Sequence, residues 1–312
     1  MSKNNMSRRK FNKMTLLGVS MMTMTNSIKA KTDAGVRLGG PIFDKTDDPD
    51  LWLQAHQRLG YKAAYCPVEA EVSDDIVSAF KQAARRANIV IAEVGAWSNP
   101  ISQDETERKQ AIEKCIRQLE LADRIDALCC VNISGSRGQK WDGPDVKNLT
   151  SDTFDMIVTT TRHIIDQVKP ERTFFTLEPM PWAYPDSADS YLRLVKAINR
   201  KQFAVHLDPV NIINSPWRYF NTGAVIRECF QKLGPYLKSC HAKDILLQDT
   251  LTTHLDEAIP GQGNLDYTVY LAELSKLSDV PLMLEHLKLP EEYQQAADYI
   301  RAVAKRQNIA IS

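Results

Sequence analysis

The stretch FAVHLDPVNIIN (203–214) reads as an apolar strand that ends on a charge and breaks at once on Pro209. Residues two apart in a strand point to the same face, so His206 and Asp208 share one side of it. Burying both without partners is costly, so the aspartate needs a reason to stand there. Seven more apolar runs surround this one: VRLGGPIF (36–43), KAAYCPV (62–68), IVIAEVGAW (89–97), ALCCVNISG (127–135), TFFTLEPMPW (173–182), LKSCHAKDI (237–245) and PLMLEHL (281–287). Helix-like segments lie between them at 73–88, 105–123, 151–169, 187–200, 223–233 and 267–277, and 290–307 closes the chain.

Eight strand signals alternating with helices at intervals of about 30 to 40 residues predict an α/β fold, a closed (β/α)8 TIM barrel. No internal repeat or low-complexity linker interrupts the alternation, so a single catalytic domain is expected over 36–312. Active sites of such barrels lie at the C-terminal ends of the strands, where the following loops converge.

Composition narrows the partners. Lysine plus arginine equals aspartate plus glutamate at 39 each, so no broad basic field is present to hold nucleic acid or an anionic membrane. A small-molecule ligand is expected. The six cysteines form no CxxC and no zinc-finger spacing, and are read as buried small apolar residues.

The first 31 residues are different in kind. SRRKFNK (7–13) precedes MTLLGVSMMTMT, which is too short and too polar for a permanent membrane anchor. It resembles a twin-arginine export signal through Arg8, Arg9 and Phe11, with Asn12 where leucine is usual and Ala30 as a candidate cleavage position. That resemblance implies a periplasmic or otherwise exported protein, cytoplasmic if the signal is not used.

Four run ends carry groups able to bind a metal: Glu178, Asp208, His241 and Glu285, separated by 30, 33 and 44 residues. Each interval is about one strand-helix unit, so a barrel would bring the four from successive strands onto one rim. Three carboxylates and an imidazole suit a hard divalent cation, manganese, magnesium or cobalt, with zinc also open. His206 and Lys243 lie two residues before Asp208 and after His241 and are candidate substrate contacts. Trp97, Trp182 and Trp217 each follow a strand, where an indole face could stack on a sugar. SGSRG (134–138) is read as a plain turn rather than an anion site. IPGQGNLDY (259–267) lacks the lysine of a phosphate loop and is read as a hinge, with Asp266 capping the next helix.

From about Val36 onward these elements resemble the xylose isomerase-like sugar isomerase/epimerase family, which includes ketose 3-epimerases. The resemblance is carried by LEP (Glu178), LDPVN (Asp208, Asn211), HAKD (His241), PGQGNLDY (260–267) and LEHL (Glu285). It implies one divalent cation, commonly manganese, on Glu178, Asp208, His241 and Glu285, with the two glutamates also serving as acid and base. Asn211 stands where ketose epimerases carry a substrate-contacting histidine, and AKD follows His241 where they carry a loop ending in arginine. The expected reaction is epimerisation or isomerisation of a keto sugar by proton abstraction next to a carbonyl, through a metal-stabilised enediolate. Elimination from a 3-keto-glycoside shares that first step and stays open as a lyase reading, as does a carbohydrate-binding barrel without chemistry. Zinc hydrolysis of DNA on the same barrel is disfavoured by a chain with only six histidines and no basic face. Whether protomers pair as a homodimer is left open.

Overall fold

The alternation of apolar runs and amphipathic segments folds as expected, in a computed structural model that describes residues 35–44 and 46–312. The signal-like segment expected at 1–31 lies outside the described residues. Eight parallel strands close into a barrel: β1 (Leu38–Gly39), β2 (Ala63–Tyr65), β3 (Val90–Gly95), β4 (Cys129–Asn132), β5 (Phe175–Leu177), β6 (Phe203–Leu207), β7 (Leu237–Ala242) and β10 (Leu282–Leu284). Neighbours follow chain order, and β10 returns to pair with β1 through Leu38 and Leu282. Each of the eight apolar runs supplies one barrel strand.

Two layers of core hold this arrangement. Strand residues such as Leu177, Val205, Leu207 and Leu284 pack outward against the helices in one continuous apolar cluster. Inside the barrel, Ala63, Ala92 and Met283 form a separate small cluster. The helices are capped by the chemistry their first residues offer. Asp48 accepts from Asp50 and Leu51 N–H ahead of Pro49–Leu59, and Asp104, Thr150 and Asp266 cap Glu105–Ile125, Ser151–Val168 and Tyr267–Leu274 in the same way. Among the described residues, no helix is long and apolar enough to cross a membrane. Cys115, Cys129, Cys130, Cys229 and Cys240 are buried thiols, whereas Cys66 is half-buried.

The run 237–245 departs from its sequence reading. β7 ends at Ala242, and Asp244 opens an antiparallel hairpin of β8 (Asp244–Leu247) and β9 (Leu255–Ala258) that stands beside the barrel mouth. The glycine loop behind it is a fastened segment rather than a hinge. The Asp244 carboxylate accepts N–H groups from Ile245 (2.9 Å), Gly261 (2.9 Å), Gly263 (3.1 Å) and Leu265 (2.8 Å). Gly261 takes φ +95°, open chiefly to glycine, and a Cβ at Gly263 would collide with Asp244 Oδ1. Removing a buried carboxylate orphans all four donors, so Asp244→Ala should lower stability by about 3 kcal/mol. Thermal unfolding followed by circular dichroism checks this, with Asp244→Asn expected to fall between the two.

Candidate metal centre and active site

Strand ends place the four candidate ligands. Glu178, Asp208 and Glu285 are each the first residue beyond β5, β6 and β10, and His241 is the last but one in β7. Buried tyrosines fix the backbone beneath them. The Tyr191 hydroxyl accepts from Leu177 and His206 N–H, both at 3.1 Å, tying β5 to β6. Tyr270 and Tyr267 donate to the carbonyls of His241 (2.8 Å) and Lys243 (2.7 Å), holding the end of β7.

The result is convergence. One ligand atom from each of Glu178, Asp208, His241 and Glu285 lies within 4.8 Å of those from all the others. His241 Nδ1 is 2.8 Å from Glu285 Oε1, 3.5 Å from Glu178 Oε1 and 4.0 Å from Asp208 Oδ2. Lys243, 2% exposed, puts Nζ 2.8 Å from Asp208 Oδ2, 2.7 Å from Glu285 Oε1 and 3.0 Å from Glu257 Oε1 on the hairpin. Asn211 Nδ2 donates to Glu178 Oε1 at 2.8 Å.

Burial and mutual repulsion set the charge states. Burial, and then the charge of Glu285, push the Glu178 carboxyl up to about 7. Burial also opposes ionisation of Glu285, but His241 and Lys243 overcome it and hold that group well below the usual carboxylate range. Burial disfavours charge on His241 and Lys243 as well. The facing carboxylates win, and both are driven well above their ordinary values.

These residues fit a divalent cation. Asp208 Oδ2, His241 Nδ1 and Glu285 Oε1 are buried without a properly directed hydrogen bond, although Lys243 Nζ lies close to both oxygens. Buried polar atoms in native proteins are almost always satisfied, and a cation held by this cluster would satisfy all three. The carboxylates draw two positive charges, a proton on His241 and the Lys243 ammonium, which is the demand that a dication meets. Oxygen-rich donors with one imidazole suit manganese, magnesium or cobalt.

A carboxylate missed by the sequence reading backs the histidine. Glu93 Oε1 is 3.0 Å from His241 Nε2, and its Oε2 accepts from Ser239 Oγ at 2.9 Å. A metal-binding imidazole usually donates its other N–H to such a carboxylate, which fixes the ring and leaves the first nitrogen free. Strict alternation along β3 would put Glu93 on the face of Ile91, away from the barrel interior. A bulge intervenes: Ala64 pairs with Ile91 but Tyr65 pairs with Glu93, and the extra residue turns the glutamate inward.

Other expected site residues divide. Trp97, Trp182, Asn211 and Lys243 line a cavity of about 1100 Å³ together with Glu178 and Glu285. His206 does not. It is 0% exposed, with its ring centroid 4.0 Å from that of His241 and Nδ1 3.3 Å from Glu93, so it lies beneath the centre and out of reach of substrate. Trp217, 68% exposed, stands outside the cavity, and Trp141, unremarked in the sequence, takes a place in its wall. Asp244 is the glycine-loop clamp, and Lys243 beside it turns to the carboxylates of Asp208, Glu257 and Glu285. Arg137 of SGSRG donates to the Ile101 carbonyl, in keeping with a plain turn.

A family model described as xylose isomerase-like TIM barrel matches residues 53–303. No protein of curated function matches the sequence. Among solved structures, endonuclease IV from Thermus thermophilus superposes with a TM-score of 0.66 at 14% identity, over 86% of this chain and 99% of that one. A probable 3-DHS dehydratase from Bacillus anthracis gives 0.64 at 16% identity, over 87% and 99%. D-psicose 3-epimerase from Clostridium cellulolyticum gives 0.61 at 17%, over 86% and 99%. Likeness at this identity speaks for the fold alone, and these three chemistries differ, so the residues at the barrel mouth must decide between them. The role of Glu93 has a direct check: Glu93→Gln should weaken manganese binding about 10- to 100-fold in a competition titration against a chelating dye. An unchanged affinity would remove Glu93 from the site.

Proposed function

From the premise that the chain belongs to the xylose isomerase-like TIM-barrel family, we propose that it is a divalent-metal-dependent epimerase or isomerase of a keto sugar. The observation that carries this reading is the convergence of Glu178, Asp208, His241 and Glu285 within 4.8 Å at the mouth of one cavity. Manganese is the leading candidate cation. When bound, a divalent cation polarises a substrate carbonyl, so that the adjacent C–H becomes acidic enough to lose its proton.

The chain's own groups supply the rest. Glu178 and Glu285 come from β5 and β10, with β6 and β7 between them, and both line the cavity. One, as the carboxylate, takes the proton, and the other, as the carboxylic acid, gives its own proton to the opposite face of the carbon, which inverts it. Asn211 keeps Glu178 in place through its hydrogen bond. The Lys243 ammonium faces the same space and donates to the oxyanion that develops on the sugar. Export, favoured by the SRRKFNK stretch (7–13), would place the enzyme among glycosides and glycan-derived sugars rather than sugar phosphates.

The test is exchange in deuterated water. Manganese-loaded protein should incorporate deuterium next to the carbonyl of a ketose or 3-keto-glycoside, read by NMR. Label in an intact sugar marks epimerisation, whereas release of the aglycone marks elimination. Glu178→Gln and Glu285→Gln should each slow exchange by roughly 100-fold or more while the barrel melts normally. Sugar binding that survives Glu178→Gln, with no exchange in the parent protein, would instead identify a binding barrel without chemistry.

A further inference from the structure

The cavity is larger than the reaction needs. Proton transfer at one carbon engages Glu178, Glu285 and Lys243, which occupy only part of its wall. Its volume of about 1100 Å³ exceeds the range of about 300–1,000 Å³ typical of pockets that enclose a drug-sized ligand. A lone hexose ring fills a small part of that space.

Much of the rest of the wall is aromatic and apolar. Three of the chain's five tryptophans line it, Trp97 after β3, Trp141 after β4 and Trp182 after β5, joined by Ile133 and Met180. Each of the three indoles is 36–37% exposed. So much open aromatic surface in one concavity marks a binding site rather than packing. The metal ligands span β5 to β10, so the tryptophans extend the site around the rim, away from the reacting carbon. Two of them are also held in place. Trp182 Nε1 donates to the Asp142 carbonyl at 2.8 Å, joining the loops after β4 and β5. Lys114 Nζ donates to the Trp97 carbonyl at 3.0 Å, and a Cβ at Gly95 would collide with the Trp97 indole that folds over it.

We infer that Trp97, Trp141 and Trp182 form a subsite for a second ring attached to the keto sugar, so that the substrate is a glycoside rather than a free monosaccharide. This rests on the enolising role assigned above to the other end of the cavity. The shared chemistry is a ring with an apolar face, and either a pyranose or an aryl group offers one.

Titrations of the manganese-loaded full-length protein, read by tryptophan fluorescence and calorimetry, compare methyl β-glucoside with cellobiose and with 4-nitrophenyl β-glucoside. The expected result is at least tenfold tighter binding of one or both two-ring probes. Cellobiose alone gaining would assign a sugar ring to the subsite, and the aryl glucoside alone an aromatic one. In Trp141→Ala that preference should fall towards one, and the variant's melting curve reports its folding. The comparison in the parent protein needs no variant. Equal affinity for one-ring and two-ring probes overturns the subsite, and deuterium exchange in a simple ketose would then leave the enolising role standing. Tight two-ring binding with no exchange in any keto sugar does the reverse.

Discussion

Three carboxylates brought together at the mouth of a barrel are the constraint on which the rest depends. At separations under 4.8 Å, each pair of like charges repels by on the order of 3 kcal/mol even at an effective dielectric of about 20. Only a stiff scaffold with compensating positive charge can hold Glu178, Asp208 and Glu285 there. The scaffold is the closed sheet, with β5 and β6 tied by the Tyr191 hydroxyl and the end of β7 held by those of Tyr267 and Tyr270. The charge comes from Lys243 and His241, and from a cation when one is bound. Lys243 is the counter-ion of the cluster, and its ammonium also lines the cavity, where the proposed function gives it a sugar oxyanion to meet.

Polarity is layered along the barrel axis. Ala63, Ala92 and Met283 fill one interior layer with apolar atoms. The buried set of Glu93, Ser239 and His241 forms a hydrogen-bonded platform in which burial opposes the charge on Glu93 and His241 outweighs it, and His206 packs beside it with Nδ1 3.3 Å from Glu93 Oε2. Burial, and then the charge on His241, push His206 down to about 3, so it serves as a neutral spacer. The four candidate metal ligands stand on this platform at the mouth of the cavity, which keeps that end of the site rigid and leaves variation to the loops.

Much of this was legible in the sequence, and the misses have physical causes. The eight strands announced themselves because each is a short apolar run between amphipathic helices, and four of those runs end on Glu178, Asp208, His241 or Glu285 at intervals of one strand-helix unit. Glu93 escaped because a search of run ends passes over a charge inside a strand, and because only the bulge at Ala92 turns it inward. The alternation that placed His206 beside Asp208 was sound for direction, yet depth along the barrel axis is not written in a two-residue period. The hairpin was hidden because Asp244 and Ile245 continue the apolar run of β7 without a break. Trp141 lies in a loop, where periodicity says nothing about which way a side chain faces.

The most direct test of the account is crystallographic: anomalous scattering from crystals of the manganese-loaded protein. One peak is predicted, at about 2 Å from oxygens of Glu178, Asp208 and Glu285 and from His241 Nδ1, with the Lys243 ammonium moved off the ligand oxygens. A cluster that binds no manganese and keeps Lys243 Nζ among its carboxylates, or a cation bound elsewhere in the barrel, would contradict the account.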